Sequence, residues 1–324
     1  MPSQLEQLST MSTIVADTGD IEAIKSFHPQ DATTNPTLIL QAAQKPEYRF
    51  LIEKAIRDTQ SITCQNLEER QTLLLDHVFV NFGAEILKLI PGRVSTEVDA
   101  HLSFDYEKSI HRALSLIKTY EQRGIPRDRI LIKLAATWEG VRAAEVLQME
   151  GIHCNMTLIF SLTQAAASAE AKAAIVSPFV GRMMEWHKKN KNVAGFTPQE
   201  DPGVLSVKSI YTYLKKFNYK TCVMAASFRN KEEILELAGC DLITIAPKFL
   251  EELAISSESV VRKLSKEKAK QENLQKIPFN EGLFRFMVNE DVCATDKLSE
   301  GIRLFAKDWT TLQQFIFREF PEAI

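Results

Sequence analysis

The 324-residue sequence predicts an α/β fold, a (β/α)8 barrel of the TIM type. Three observations carry that expectation. Short apolar runs alternate with longer segments of helical period. Eight such strand-then-helix units fit the length of about 250 residues typical of a barrel. The competing doubly wound open sheet normally brings a glycine-rich phosphate loop, and the chain has neither GxGxxG nor the P-loop pattern.

The runs read as strands are Thr13–Asp17, Asp31–Thr34, Val94–Val98, Ile130–Leu134, His153–Leu158, Ile175–Pro178, Thr221–Ala225 and Leu242–Ala246. They are short and mostly apolar, as parallel strands covered on both faces must be. Helices are expected between them. Ser109–Arg123 puts Ile110, Ala113, Leu114 and Ile117 on one face. Val141–Glu150, Thr163–Glu170, Ser206–Phe217 and Lys231–Ala238 share that period, and Gly124, Gly151 and Gly239 stand where helices should stop. Glu47–Leu75 reads as one or two extra helices after the second strand. Ser256–Gln275, strongly charged with alternating signs, reads as a solvated helix. Asp296–Phe320 places Leu298, Ile302, Phe305, Leu312, Phe315 and Ile316 at helical spacing and should pack on the barrel. The organisation expected is one barrel domain over 1–324 with C-terminal helices packed on it.

Composition narrows the function classes. Hydrophobic residues make up 45% and charged residues 25%, and the formal net charge is −3. Such a balance offers no field for nucleic acid or anionic lipid, so an anionic ligand must be held by a few placed Arg or Lys. The N-terminal segment reads as neither signal nor transit peptide, and no run approaches a membrane span, so a cytoplasmic protein is expected. Cys64, Cys154, Cys222, Cys240 and Cys293 are odd in number and form no CxxC pair; reduced thiols are expected. No Cys/His cluster has metal-ligand spacing, and neither metal nor organic cofactor is signalled. Asn155-Met156-Thr157 is a glycosylation sequon inside a strand and is discounted. The acidic pairs Glu68–Glu69 and Glu232–Glu233 read as solvated helix faces.

The polar residues at the strand ends are the informative ones, because the C-terminal strand ends of a barrel face its active site. Period-two alternation puts Val94, Thr96 and Val98 on one face and Glu97 on the other. It likewise separates Lys133 from Ile130, Ile132 and Leu134, and Asn155 and Thr157 from Cys154, Met156 and Leu158. The first strand ends at Asp17, the second at Thr33 and Asn35, the sixth at Ser177 and the seventh at Ser227. A single charged residue near a strand end usually just emerges into water. Seven ends converging on two carboxylates, one lysine and a ring of hydroxyls and amides point to a site. Lys133, embedded in ILIKLAATW, is the sharpest case. Burial favours the neutral form of an amine, the form that attacks a carbonyl; the alternative is a structural ion pair with Asp17 or Glu97.

Nine motifs, in order, then carry a resemblance. They are VADTGD at Val15–Asp20, DATTNPTLI at Asp31–Ile39, IPGRVSTEVDAHLSFD at Ile90–Asp105 and ILIKLAATWEGVRAAEVL at Ile130–Leu147. IHCNMTLIFS at Ile152–Ser161, SPFVGR at Ser177–Arg182, EDPGV at Glu200–Val204, ASFRN at Ala226–Asn230 and AGCDLITIAP at Ala238–Pro247 follow. From about Leu5 to Phe320 the chain resembles the transaldolases of the class I, Schiff-base-forming aldolase superfamily. Departures are small: His101 stands where arginine is expected, and Ala225–Ala226 replaces Gly-Ala.

The resemblance implies a circularly permuted class I aldolase barrel with the lysine on its fourth strand. Lys133 matches the Schiff-base lysine, Asp17 and Glu97 the acid/base carboxylates, and Thr157 the threonine that helps hold a catalytic water. Thr33, Asn35, Asn155 and Ser177 match residues that contact the dihydroxyacetone part of the substrate. Arg182 and Arg229 match the phosphate-binding arginines, with Ser227 nearby. The implied partners are sugar phosphates, and a second copy of the chain in a homodimer. A fructose-6-phosphate aldolase would use the same lysine, but that type is shorter and lacks the glutamate of the STEVD setting. A silent barrel used as a scaffold would be expected to lack the lysine or a carboxylate.

Overall fold

The computed structural model describes residues 2–323. Eight parallel strands close into a barrel in sequence order: β1 (Thr13–Asp17), β2 (Asp31–Thr33), β3 (Val94–Glu97), β4 (Ile130–Ala135), β5 (Cys154–Ile159), β6 (Ile175–Pro178), β7 (Cys222–Ala225) and β8 (Leu242–Ile245). β8 pairs back onto β1, Thr13 opposite Leu242. Every strand expected from the sequence is present, with ends shifted by a residue or so. Gly124, Gly151 and Gly239 all have positive φ, at 74°, 72° and 99°, as helix stops of that kind require.

Alternation along these strands builds the barrel interior. Val15, Leu131, Ile175, Met224 and Leu242 form a separate inner cluster that plugs the barrel. Two residues further along the same strands come Asp17, Lys133, Ser177, Ala226 and Thr244, so the polar layer rests directly on the apolar plug. The opposite faces point outward to the helices: Thr96, beside inward Ser95 and Glu97, hydrogen-bonds the Tyr120 hydroxyl at 2.6 Å. Register aligns Glu97 with Lys133 and Lys133 with Asn155, fixing three site residues on neighbouring strands. β5 breaks this regularity. Its pairing with β6 shifts between Met156 and Ile159, and Leu158 sits at φ 55°, a conformation leucine rarely adopts.

The helices differ from expectation in two places. The insertion after β2 is two helices, Arg49–Thr59 and Leu67–Leu87, the second running well past Leu75. The 256–275 segment is not one solvated helix; only Lys266–Gln271 is helical. Its backbone is committed elsewhere: the Lys263 and Leu264 N–H groups donate to the Ala238 carbonyl, and the Ser256 carbonyl accepts from Gln4 N–H. Leu264 and Ala269 are buried by that docking, and alternating charge could not reveal it.

The helix Val292–Glu319 covers the mouth of the barrel. It packs on the helix Pro36–Ala43, on β5 and on the helix Val180–Lys191. Its Trp309 ring stacks on Phe79 at 4.8 Å, and Asp308 accepts a hydrogen bond from Thr37. Gly301 permits the close crossing over β5, since a Cβ there would lie 2.6 Å from Leu158 Cδ2. Among the described residues no helix is long and apolar enough to cross a membrane.

Candidate active site

β4 carries Lys133 into the barrel with only 4% of its surface exposed. Its Nζ donates to the Thr34 carbonyl at 3.1 Å and lies 3.0 Å from Glu97 Oε2. Phe305 of the covering helix places its ring 5.8 Å from the same nitrogen. The ion pair considered from sequence is therefore made with Glu97. It does not seal the lysine off, because Lys133 also lines a cavity of about 250 Å³ at the barrel mouth. That cavity is bounded as well by Asp17, Thr33, Asn35, Ser177, Arg182, Ser227 and Arg229. Glu97, Asn155 and Thr157 do not line it; all three are buried.

Both carboxyls are perturbed in one direction. Burial pushes Asp17 and Glu97 above the usual carboxylate range, and the Lys133 charge pulls each back. Glu97 also feels the Asp17 charge, which raises it further. Two acids disposed to hold a proton thus flank one amine, a constellation expected of acid–base chemistry.

Hydroxyls set the proton positions around Asp17. Thr33 Oγ1 donates to Asp17 Oδ1 at 2.9 Å and lies 2.7 Å from Thr244 Oγ1. A threonine hydroxyl has one proton, so Thr33 donating to Asp17 obliges Thr244 to donate to Thr33. When Asp17 is protonated the chain can run the other way. Thr33 therefore stabilises both forms of the acid. On β5, Asn155 is wholly buried; its amide donates to Ser95 Oγ at 3.1 Å and accepts from Ser177 Oγ at 2.6 Å. It holds Ser177 at the cavity wall from one layer below. Thr157 Oγ1 is buried with no hydrogen-bond partner among the described residues. Asn35 caps the helix Pro36–Ala43, its Oδ1 accepting from Leu38 N–H at 2.9 Å; its amide NH2 remains for the cavity.

The two arginines lie at the outer end of the cavity. Arg182 stands one turn into the helix Val180–Lys191, between the rings of Phe179 at 5.1 Å and Phe305 at 5.5 Å. Its Nη1 is buried with no hydrogen-bond partner among the described residues. Burial and the neighbouring Arg229 charge both work against its protonated form, so an anion there would relieve a standing repulsion. Arg229 is different. It forks onto Glu185, Nε to Oε1 at 2.6 Å and Nη2 to Oε2 at 3.0 Å. Its loop is clamped to the Arg182 helix: Val180 N–H donates to the Ala226 carbonyl and Gly181 N–H to the Ser227 carbonyl, each at 2.9 Å. A Cβ at Gly181 would fall 2.6 Å from both the Ser227 carbonyl oxygen and Arg229 Cγ, so only glycine allows this approach.

Sequence reading missed Ser95, Thr244, Glu185 and Phe305. Ser95 was available from alternation, two residues before Glu97; the other three depend on tertiary neighbours. Among the described residues no group of three or more His, Cys, Asp or Glu is placed to hold a metal ion, and all five cysteines are free thiols.

The chain matches the family described as Transaldolase/Fructose-6-phosphate aldolase over residues 14–316. It is 59% identical over 314 residues, 97% of each chain, to a protein of Protochlamydia amoebophila (strain UWE25) named Transaldolase. A crystal structure of an IMP dehydrogenase/GMP reductase-like protein from Corynebacterium glutamicum overlaps 75% of this chain and 66% of its own. Its TM-score of 0.41 and 12% identity are too low to bear on the site.

Proposed function

Given that the chain belongs to the transaldolase/fructose-6-phosphate aldolase family of enzymes, we propose that it transfers a dihydroxyacetone unit between sugar phosphates through a Schiff base on Lys133. The donor is a ketose phosphate such as sedoheptulose 7-phosphate or fructose 6-phosphate. The acceptor is an aldose phosphate such as glyceraldehyde 3-phosphate or erythrose 4-phosphate. The observation that carries this reading is the buried Lys133 amine, 3.0 Å from Glu97 and opening onto the same cavity as Asp17.

The steps follow from those contacts. Lys133 attacks the donor's C2 carbonyl as the free amine, having passed its proton to Glu97. The carbinolamine loses its hydroxyl as water, with Glu97 supplying the proton. Thr157 Oγ1, a buried hydroxyl with no partner among the described residues, suits a water that relays this proton. The protonated imine is an electron sink. Asp17 takes the proton of the C4 hydroxyl, the C3–C4 bond breaks, and its electron pair moves into the C2–nitrogen system as an enamine. The aldose phosphate leaves. The enamine carbon then attacks the acceptor aldehyde, Asp17 returns its proton to the new hydroxyl, and water hydrolyses the imine. This is covalent catalysis in two half-reactions. Asn35 and Ser177 face the hydroxyls of the three-carbon unit, and Arg182, Arg229 and Ser227 take the phosphate.

The relay at Asp17 gives a graded prediction. Thr33→Val keeps shape and removes the bond to Asp17; a hydrogen bond to a charged group contributes about 1.5–3 kcal/mol, so kcat should fall about 10- to 100-fold. Thr244→Val, one bond further away, should lower kcat less. Steady-state kinetics on both variants checks the order, and an equal loss would mean Thr33 does not act on Asp17.

Product analysis distinguishes a transferase from an aldolase. With fructose 6-phosphate and erythrose 4-phosphate together, NMR should show sedoheptulose 7-phosphate and glyceraldehyde 3-phosphate. Steady release of free dihydroxyacetone from fructose 6-phosphate alone would assign the aldolase activity instead, and no product in either mixture would assign a scaffold. The reading includes a homodimer through the C-terminal helices, where Phe286, Val292 and Leu304 are exposed. Sedimentation tests it, and a monomer at micromolar concentration would exclude it.

A further inference from the structure

β5 is the one strand of the barrel whose backbone departs from the pattern beside the site, and a side chain that takes part in no step of the reaction holds it there. β4 and β5 stay in register as far as Ala135 opposite Thr157, and Ala136 N–H donates to the Thr157 carbonyl at 2.9 Å. At the next residue, Leu158, φ is 55°, in the left-handed region that a leucine avoids. A bulge of this kind re-aims a side chain, and its strain persists only where the surroundings over-determine it. One constraint comes from the covering helix, where a Cβ on Gly301 would lie 2.6 Å from Leu158 Cδ2.

The other constraint is Gln164, in the first turn of the helix Leu162–Glu170 and wholly buried. Its Nε2 donates to the Leu158 carbonyl at 3.0 Å and to the Ala136 carbonyl at 3.1 Å. Its Oε1 accepts Phe160 N–H at 2.9 Å and the Ser161 hydroxyl at 3.3 Å. Two carbonyls on one side and an N–H on the other fix which end of the amide is which. Serine followed three residues later by glutamine is ordinarily a capping box. Half of that box is present, since Ser161 Oγ accepts Gln164 N–H at 3.2 Å. The other half is redirected: the side-chain oxygen takes the N–H of Phe160, one residue before the cap, and the NH2 bridges the ends of β4 and β5. Capping a helix requires neither those two carbonyls nor full burial.

The residue next to the turn gives it a consequence. Thr157 immediately precedes Leu158, and its buried hydroxyl, without a partner among the described residues, is the one suited to the relay water. The direction of that hydroxyl depends on where the backbone turns. We propose that Gln164 is a positioning residue for Schiff-base formation: its amide holds the left-handed turn at Leu158 and thereby keeps Thr157 Oγ1 in place for the relay. The catalytic half of this proposal rests on the Schiff-base reading above; the holding of the turn does not.

Two substitutions separate the contacts. Gln164→Leu has nearly the same shape and removes the acceptor and both donors. Gln164→Glu keeps the acceptor for Phe160 N–H but, ionised, sets a second oxygen against the two carbonyls. The glutamate variant carries the kinetics if the leucine variant does not fold. Borohydride quenching at short times after mixing with fructose 6-phosphate measures how fast Lys133 is modified. Either variant should slow that step about 10- to 100-fold while KM stays within about threefold, because the phosphate-binding arginines stand on other elements. Thr157→Val should slow the same step. Adding Gln164→Glu to Thr157→Val should then cost no more than about threefold further, since a residue that acts through another is not additive with it.

Hydrogen exchange reads the turn without reference to substrate. The peptide that carries Leu158 and Phe160 should exchange at least about tenfold faster in either Gln164 variant than in the wild type. Unchanged exchange would overturn the holding of the turn. Faster exchange with Lys133 modified at the wild-type rate would make Gln164 a structural residue only and overturn the catalytic half, as would a full multiplicative loss in the double variant. A wild-type protein that forms no adduct with sugar phosphates would remove the Schiff-base reading and leave the turn to be judged by exchange.

Discussion

Lys133→Ala is expected to lower turnover by on the order of 10⁴-fold or more while the barrel stays folded. Among the described residues Lys133 is the one lysine lining the cavity, so no neighbouring amine there can take its place. Folding should survive for a reason visible in the site. Removing one partner of a buried ion pair usually costs about 3–5 kcal/mol, because a charge is left stranded. Here the stranded group is Glu97, which burial already pushes toward its protonated form. It can neutralise itself and remain inside. Lys133→Met, which fills most of the lost volume, should melt within a few degrees of the parent. Circular dichroism and thermal melting check the fold, and coupled assays check turnover. Activity within tenfold of the parent in a folded Lys133→Ala protein would sink the covalent mechanism.

Arg182→Ala is expected to reduce kcat/KM for phosphorylated substrates by about 100-fold, mostly through KM, with less than about threefold effect on unphosphorylated ones. The estimate takes about 1.5–3 kcal/mol for charge-assisted hydrogen bonds to an anion. The effect should exceed that of Arg229→Ala, because the two arginines differ in what they already hold. Arg229 forks onto Glu185, which offsets much of its charge, whereas Arg182 has a buried nitrogen with no partner among the described residues. The same argument predicts that Arg182→Ala melts no lower than the parent, since it removes a buried cation that repels Arg229. Kinetics with fructose 6-phosphate and fructose, alongside thermal melting, decides it. Equal losses on both substrates would contradict a phosphate clamp at Arg182.

The parts of the molecule legible in the sequence are those written with a period. Two-residue alternation separated Glu97 and Lys133 from their outward neighbours, and the strands follow that pattern. The same rule implies Ser95, which was passed over because nothing in a serine two residues before a glutamate signals a partner on β5. What stayed hidden depends on neighbours distant in sequence. Glu185 matters because Arg229, 44 residues on, reaches it across the cavity rim. Phe305 matters because a C-terminal helix crosses the barrel mouth. Glu233 had a local signal, since an asparagine three residues before a glutamate resembles a capping box. Charge alone suggested solvent, yet the side chain is buried, turned back onto the Arg229 backbone N–H. The 256–275 stretch misled in the opposite way, its helix-like charges serving a segment held by backbone bonds to Ala238.

The most direct test of the account is to trap the intermediate. The purified protein is incubated with fructose 6-phosphate, reduced with borohydride, digested and mapped by mass spectrometry. The account predicts a reduced three-carbon adduct on Lys133, and its loss when erythrose 4-phosphate is added before the borohydride. A folded protein that shows no adduct, or one that carries it on a different lysine, would contradict the assignment of Lys133 as the nucleophile.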